Sequence, residues 1–320
     1  MNVLVTGGAG FVAATLLSRL LERGATVVAL DNLCRGSLAN IRSLLETPRL
    51  RFVRVSLEDH ASFRRAVAET GLSFDALWHL AANSDIPAGV ADPRIDLRDT
   101  FLTTFNALLV AREFGIARFY FASSSAIYGD LGEREITENV GPILPISNYG
   151  AMKLASEGQL SAAVESFLPQ ALLFRFPNVV GTPATHGVIL DFVRKLKAKP
   201  DVLEVLGDGT QRKSYLHVRD LVDAMLYLAA RHERGLDVFN IGPADDGIEV
   251  RDIAALVVQA VSPRARVHFG TGNKGWVGDV PRFRYSVARL AAAGWRPTLD
   301  SRAAVALAVT EVAAQEAAGA

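Results

Sequence analysis

Cysteine is almost missing from this chain: Cys34 stands alone among 320 residues. That excludes an internal disulfide framework and any thiolate metal cluster. Charge of one sign is missing as well, with 34 basic side chains set against 34 acidic ones. A chain so balanced carries no field to gather nucleic acid or to hold it on an anionic membrane. The six histidines (His60, His79, His186, His217, His232 and His268) lack the paired spacing that ligates a metal. No apolar run is long enough to span a bilayer. Internal repeats are lacking too, and the one biased stretch, Ala303 to Ala320, reads as an alanine-rich helix with a frayed end. Met1 leads straight into strand-like residues rather than into a secretory leader. These absences predict a soluble cytoplasmic protein with no metal, no nucleic-acid partner and no membrane partner.

What the chain does have is apolar material, half of its residues, enough for one large domain or two modest ones. Asn2-Val3-Leu4-Val5-Thr6 lacks polar alternation, as a strand covered on both faces would. It runs into Gly7-Gly8-Ala9-Gly10-Phe11-Val12-Ala13 and then an amphipathic helix to about Arg23. Gly7 suits a tight turn, Gly10 lets backbone approach a pyrophosphate at the helix N-terminus, and Ala13 keeps helix and strand close. The next strand, Thr26 to Leu30, ends in Asp31-Asn32, a carboxylate placed to bind the ribose hydroxyls of NAD and to repel a 2′-phosphate. Arg35 nearby reads as a solvated loop residue. Strands at Arg51 to Ser56, Ala76 to Leu80 and Arg118 to Ala122 alternate with helices at Ala61 to Glu69 and Thr104 to Phe114. The class this predicts is α/β, with a doubly wound parallel sheet.

Ligands of such sheets lie off the carboxyl ends of the strands. Two of those ends carry small or polar residues: His79-Leu80-Ala81-Ala82-Asn83-Ser84, and Ser123-Ser124-Ser125-Ala126-Ile127-Tyr128-Gly129. Tyr149 and Lys153 follow, four residues apart and so on one face of a helix. An ammonium beside a phenol favours the phenolate. Bringing a tyrosine from its usual range to neutrality takes about 4 kcal/mol. The pair therefore predicts a general base, with a Ser123–Ser125 hydroxyl holding the substrate oxygen.

The second half is looser. A helix is expected from His186 to Lys197, with Ile189, Phe192, Val193 and Leu196 inward, and a short strand at Leu203 to Leu206. Arg212-Lys213 could clamp a pyrophosphate. His217-Val218-Arg219-Asp220 opens a helix through Ala230, and Phe239 to Gly242 reads as a last strand returning to the main sheet. Trp276 and Trp295 read as packing residues.

Taken together, Gly7-x-x-Gly10-x-x-Ala13, the Asp31 strand end, His79-Leu80-Ala81-Ala82, the Ser124 turn and Tyr149-x-x-x-Lys153 resemble the extended short-chain dehydrogenase/reductase family of nucleotide-sugar enzymes. Later segments extend the resemblance: Arg175-Phe176-Pro177-Asn178-Val179-Val180-Gly181, Gly207 to Tyr215, Asn240-Ile241-Gly242 and Gly278-Asp279-Val280. It implies a Rossmann-type domain over 1–180, completed by about 210–243. It also implies a smaller C-terminal α+β substrate lobe from 181–209 and 244–300, and a tail at 301–320. The implied cofactor is NAD, the partner a nucleotide sugar, UDP-hexose above all, and the assembly a homodimer. Within the family the similarity is greatest to sugar 4-epimerases of the UDP-glucose/UDP-galactose kind.

The resemblance implies roles. Ser124, Tyr149 and Lys153 would be catalytic. Gly7, Gly10, Phe11, Val12, Asp31, Asn32, Leu57, Leu80, Ala81, Ala82, Ser123, Tyr149, Lys153 and Pro177 would hold NAD. Ser84, Ser124, Asn178, Val188, Arg212, Lys213, Tyr215 and Asp279 would hold the substrate. Departures from the pattern are informative. Ser125 and Ala126 stand where dehydratases of the family carry an acidic pair, and Ala126 where related decarboxylases keep a glutamate. Trp276 replaces the arginine with which many epimerases grip diphosphate, so Arg212, Lys213 or Arg282 would supply that charge. Ser56 stands for an aspartate near the adenine pocket, and Thr100 lies where an asparagine is often found. Two other readings stay open: a different nucleotide-sugar reaction on this scaffold, such as 4-ketoreduction or uronic acid sugar epimerisation, and a non-catalytic dinucleotide sensor.

Overall fold

A computed structural model of the chain describes residues 1–132, 134–272 and 285–318. In chain order its first elements are β1 (Asn2–Thr6), α1 (Phe11–Glu22), β2 (Thr26–Asp31), β3 (Leu50–Arg54), α2 (His60–Ala68) and β4 (Ala76–His79). Then come α3 (Ile86–Ala91), α4 (Pro93–Asp96), α5 (Thr103–Glu113), β5 (Arg118–Ala122), α6 (Asn148–Ser166) and β6 (Gln170–Arg175). A π-helical segment, Leu97–Leu102, joins α4 to α5, and a 3₁₀ turn, Ser125–Tyr128, follows β5. The second half holds β7 (Asn178–Val180), α7 (Val188–Ala198), β8 (Val202–Val205), β9 (Arg212–Lys213), β10 (Tyr215–His217), α8 (Val218–Ala229) and β11 (Gly235–Asn240). It ends with β12 (Ile248–Glu249), α9 (Val250–Val261), β13 (Arg266–Phe269), α10 (Ala288–Ala292) and α11 (Ser301–Ala318).

The chain forms two compact units. The first comprises Met1–Gly129, Pro142–Arg175 and Met225–Phe239. Its sheet has seven strands in the order β11-β6-β5-β4-β1-β2-β3. The strands from β3 to β6 pair in parallel, with Val3 opposite Val27 and Ala76, and Phe121 opposite His79 and Leu173. Val3, Leu4 and Val5 are fully buried, which is why β1 shows no alternation. Strand order reverses between β1 and β4, so their carboxyl ends flank the crevice that parallel sheets offer to ligands. The fold is the doubly wound α/β sheet expected, but β6 was not anticipated as a strand. Its polar ends hide it: Gln170 donates its amide to His232 O (2.7 Å), and Arg175 is paired with Glu157. The last strand starts earlier than expected, because Gly235 N already bonds Pro169 O (2.9 Å).

The second unit comprises Asp130–Gly141, Phe176–Ala224 and Asn240–Ala320. Three two-stranded sheets, β10-β7, β12-β9 and β13-β8, accompany a core of α7, α9 and α11. The helix expected from His186 begins at Val188, after Gly187 at φ 106°. The alanine-rich tail is a core element: Ala304, Val305, Ala308, Val309 and Val312 of α11 are buried against Phe192, Ile253 and Val257. Its Glu311 accepts from Arg219 (2.5 Å) and bonds buried His217 (3.2 Å).

Candidate active site

In the first unit the β1–α1 turn is built from main chain. Gly7 takes φ +67°, and a Cβ there would lie 2.8 Å from Ala81 N and 2.9 Å from Leu80 C. Only glycine lets this turn rest on the end of β4. Gly10 is the N-cap of α1; no side chain caps the helix, and no acidic residue sits in its first turn. The opening N–H groups of α1, near half-buried Phe11 and Val12, thus have no side-chain cap, an arrangement that suits an anion. At the end of β2, buried Asp31 accepts from Ala9 N (3.0 Å) and Leu33 N (2.7 Å). Each carboxylate oxygen keeps a lone pair for a ribose hydroxyl. Asn32 accepts from Cys34 N (3.0 Å), and Arg35 is held by Asp85 (2.9 Å) rather than lying free in solvent. Leu57 is buried, Leu80, Ala81 and Ala82 are half-buried, and Ser84 is exposed. A cradle with no room for a Cβ, an uncapped helix and a carboxylate at the next strand fit a dinucleotide.

The second group of residues lies where α6 meets the Ser125–Tyr128 turn. Ser147 caps α6, its hydroxyl accepting from Gly150 N (3.1 Å). A Cβ on Gly150 would lie 2.3 Å from Ala126 O, so the first turn of α6 rests directly on the backbone of that turn. Ser124, extended at φ −153° and ψ 150°, accepts from Ala126 N (3.1 Å). Ser124 lies close enough to Tyr149 for its hydroxyl to favour the phenolate. Lys153 is buried; its Nζ donates to Ala122 O (2.6 Å) and lies 4.6 Å from the Phe121 ring centroid and 5.8 Å from that of Tyr149.

The electrostatics differ from the expectation. Burial pushes the Tyr149 phenol up to about 12; the Ser124 hydroxyl pulls against this, and the Asp96 charge adds to it. Burial likewise brings Lys153 down to about 7, with Glu157 and Asp96 pulling it back up. The expected drop of the phenol by its neighbouring ammonium is therefore overturned for the protein by itself. Losing water penalises phenolate and ammonium alike, and the short bond of Lys153 goes to a carbonyl. His79 bonds Thr6 (2.7 Å) and Thr104 (3.0 Å), and burial, then Lys153, hold its imidazole neutral. It is a strut between β4 and α5.

Three nearby residues were given no role in the reading of the sequence. Asp96, fully buried, accepts from Asn83 (2.9 Å), while its Oδ2 has no partner among the described residues. Glu157 and Arg175 form a buried ion pair (2.6 Å). The available signal was the spacing Tyr149, Lys153, Glu157, one face of α6 at successive turns. Ser123, expected to hold cofactor, is fully buried and donates its hydroxyl to Glu157 (2.5 Å).

The remaining expected residues lie in the second unit. Asn178 is exposed at the start of β7, Val188 opens α7, and Pro177 packs near Gly242. Tyr215 is buried and its N–H is taken by Ser301 (3.1 Å). Arg212 is paired with Glu249 (2.9 Å) and also donates to Gly247 O (3.3 Å), while Lys213 sits beside it in β9. Asp279, with Trp276 and Arg282, lies outside the described residues.

With this geometry in view, the comparisons are direct. The model of the "NAD dependent epimerase/dehydratase family" matches residues 3–242. The UDP-glucose 4-epimerase of Mycolicibacterium smegmatis is 30% identical over 305 residues, covering 93% of this chain and 94% of that protein. UDP-glucuronic acid decarboxylase 2 of Arabidopsis thaliana is 28% identical over 320 residues, 97% of this chain and 68% of that one. The crystal structure of Thermus thermophilus UDP-glucose 4-epimerase in complex with NAD is 32% identical, with a TM-score of 0.83 over 98% of this chain and 99% of that one. No described helix is long and apolar enough to cross a membrane. A glycine turn with no room for a Cβ, a Ser–Tyr–Lys group in the same unit and a family match over three quarters of the chain agree: this protein belongs to the NAD-dependent epimerase/dehydratase family of nucleotide-sugar enzymes.

Proposed function

We propose that the protein epimerises carbon 4 of a nucleotide sugar of the UDP-glucose/UDP-galactose type through a transient 4-keto sugar. The observation that carries this reading is Tyr149 with buried Lys153 5.8 Å from its ring and Ser124 nearby, on a turn whose next residues are Ser125 and Ala126. That set can move one proton at a hydroxyl. It has no acidic side chain at the positions where dehydratases and decarboxylases of the family place theirs.

Gly7, Gly10, Phe11, Val12, Asp31, Asn32, Leu57, Leu80, Ala81 and Ala82 would hold NAD, and Pro177 would complete its site. When bound, NAD supplies the carrier that takes hydride from carbon 4 and returns it to the opposite face. Tyr149 takes the proton of the carbon-4 hydroxyl and later returns it, while Ser124 donates to the same oxygen and keeps it oriented. A phenol near 12 is a poor base at neutral pH. Lys153 as ammonium, with the positive charge of an oxidised nicotinamide, offsets the burial that put it there. Ser84, Asn178, Val188, Lys213, Tyr215 and Asp279 are proposed to hold the nucleotide and its sugar. Arg212 would join them only where a diphosphate displaces Glu249 from it.

We assign the protein to the cytoplasm and to a homodimer. An exposed stripe supports the second copy: Leu97, Phe105 and Leu109, with Phe101 against Phe105 at 6.5 Å, recur every four residues. Sedimentation that returns the mass of a single chain would remove the dimer. The reaction is tested by incubating the protein with UDP-, GDP-, CDP- and dTDP-sugars without reductant. Inversion of UDP-glucose and UDP-galactose, with no net use of cofactor and loss of turnover in Tyr149→Phe, is the expected result. Stoichiometric consumption of reduced cofactor would point to a ketoreductase instead, and full activity of Y149F would remove the assigned base.

A further inference from the structure

Behind the Ser124–Tyr149 pair lies a buried ion pair that the proposed chemistry does not touch. Glu157 and Arg175 are 6% and 7% exposed. They meet in a two-pronged contact, Nε to Oε1 at 3.0 Å and Nη2 to Oε2 at 2.6 Å. Glu157 comes from α6, two turns beyond Tyr149 and one beyond Lys153, and Arg175 from the end of β6. Each has a further bond. Ser123 donates to Glu157 Oε1 (2.5 Å), and Arg175 Nη1 donates to the hydroxyl of buried Tyr128 (2.9 Å). Ser123 and Tyr128 stand at the two ends of the turn that carries Ser124.

We propose that Glu157 and Arg175 are positioning residues: they clamp both ends of the Ser123–Tyr128 turn to the helix bearing Tyr149 and Lys153, and so set where the Ser124 hydroxyl stands relative to the Tyr149 phenol. A buried ion pair is seldom kept for stability, since apolar residues of like volume do as well. A two-pronged guanidinium–carboxylate contact does fix orientation. Here it grips the one segment whose placement decides whether a serine hydroxyl reaches the phenol. Gly150 completes the arrangement from the other side, since any side chain there would meet Ala126 O. The charged groups around Tyr149 are Asp96 and Lys153, with Glu157 and Arg175 behind them and neutral His79 beyond Lys153.

The inference rests on the proposed roles of Ser124 and Tyr149, and its test separates the two. Ser123→Ala frees one end of the turn and Tyr128→Phe the other. Either should lower kcat about tenfold, because small misplacements near the reacting atoms are costly. For Tyr128→Phe the KM for UDP-galactose should stay within about twofold, as should the Kd for NAD, since Tyr128 is given no binding contact. The acid limb of the kcat profile should move to higher pH, because a Ser124 hydroxyl beside the phenol favours its ionised form. In a Ser124→Ala background the same substitutions should cost less than about twofold, because the hydroxyl they act through is already gone. Equal losses in both backgrounds, or a lower melting temperature with kcat and its pH profile unchanged, would overturn the clamp. A crystal structure of S123A supplies the readout that needs no activity. Ser124 displaced from its place beside Tyr149 supports the clamp even if the sugar chemistry is wrong, and an unmoved Ser124 refutes it.

Discussion

The proposed cofactor cradle and the proposed catalytic cluster, both in the first unit, are built by opposite means. At the cradle the backbone does the work: Gly7 sits where a Cβ would strike Ala81 and Leu80, and the first turn of α1 is left uncapped. At the cluster the side chains do it. Tyr149, Lys153 and Glu157 share one face of α6, and burial moves the phenol and the ammonium in unfavourable directions. A backbone site is rigid and nearly independent of pH. A site made of buried ionisable groups stores electrostatic cost, which the ligand's own charge can then offset.

The largest effect that would break this contrast is expected at Lys153. Lys153→Met should lower kcat on the order of a thousandfold, the range of a lost acid–base component, while NAD still binds at the cradle. Turnover assays with NAD titrations check both halves. A K153M enzyme that is fully active would mean the buried ammonium is only structural. Next comes Gly7→Ala, which forces a side chain into a positive-φ position against backbone. The Kd for NAD should rise on the order of 10- to 100-fold, with turnover recovered at saturating NAD. An unchanged Kd would show that the turn does not face the cofactor.

The third expectation sharpens the electrostatic half. Lys153 has a folded value of about 7 against 10.5 for a free lysine. The folded protein thus holds that proton less tightly than the unfolded chain, and stability should rise as pH climbs from about 7 towards 10. Tyr149 acts with the opposite sign, and only above about pH 10, where the unfolded phenol ionises first. Thermal melts of cofactor-free protein between pH 7 and 9.5 should therefore climb relative to K153M, and parallel curves would contradict the low value. The smallest effect is expected at Arg35, whose exposed pair with Asp85 is worth at most about 1 kcal/mol. Arg35→Ala should leave the Kd for NAD within about threefold, and a larger loss would make the pair part of the cradle.

Much of the first unit could be read before any coordinates. Strand, Gly-rich turn and helix at residues 2–22, the Asp31 strand end and the Tyr149/Lys153 spacing are local patterns, and local sterics dictate them. The second unit was harder. Its strands are short, Arg212 looked available until Glu249 was seen beside it, and α11 looked like a tail until its valines proved to be core. In each case the deciding neighbour is distant in sequence, so no window of the chain could disclose it.

By itself, then, the amino-acid order determined which segments turn, which alternate between strand and helix, and which side chains share a helix face, because those follow from backbone sterics and residue spacing. Only the tertiary structure decided how ionised those side chains are and what holds them. Burial raised Tyr149, lowered Lys153, and joined Glu157 of α6 to Arg175 of β6 across 18 residues of chain. Desolvation is a property of everything packed around a group, and that packing exists only once the chain has folded.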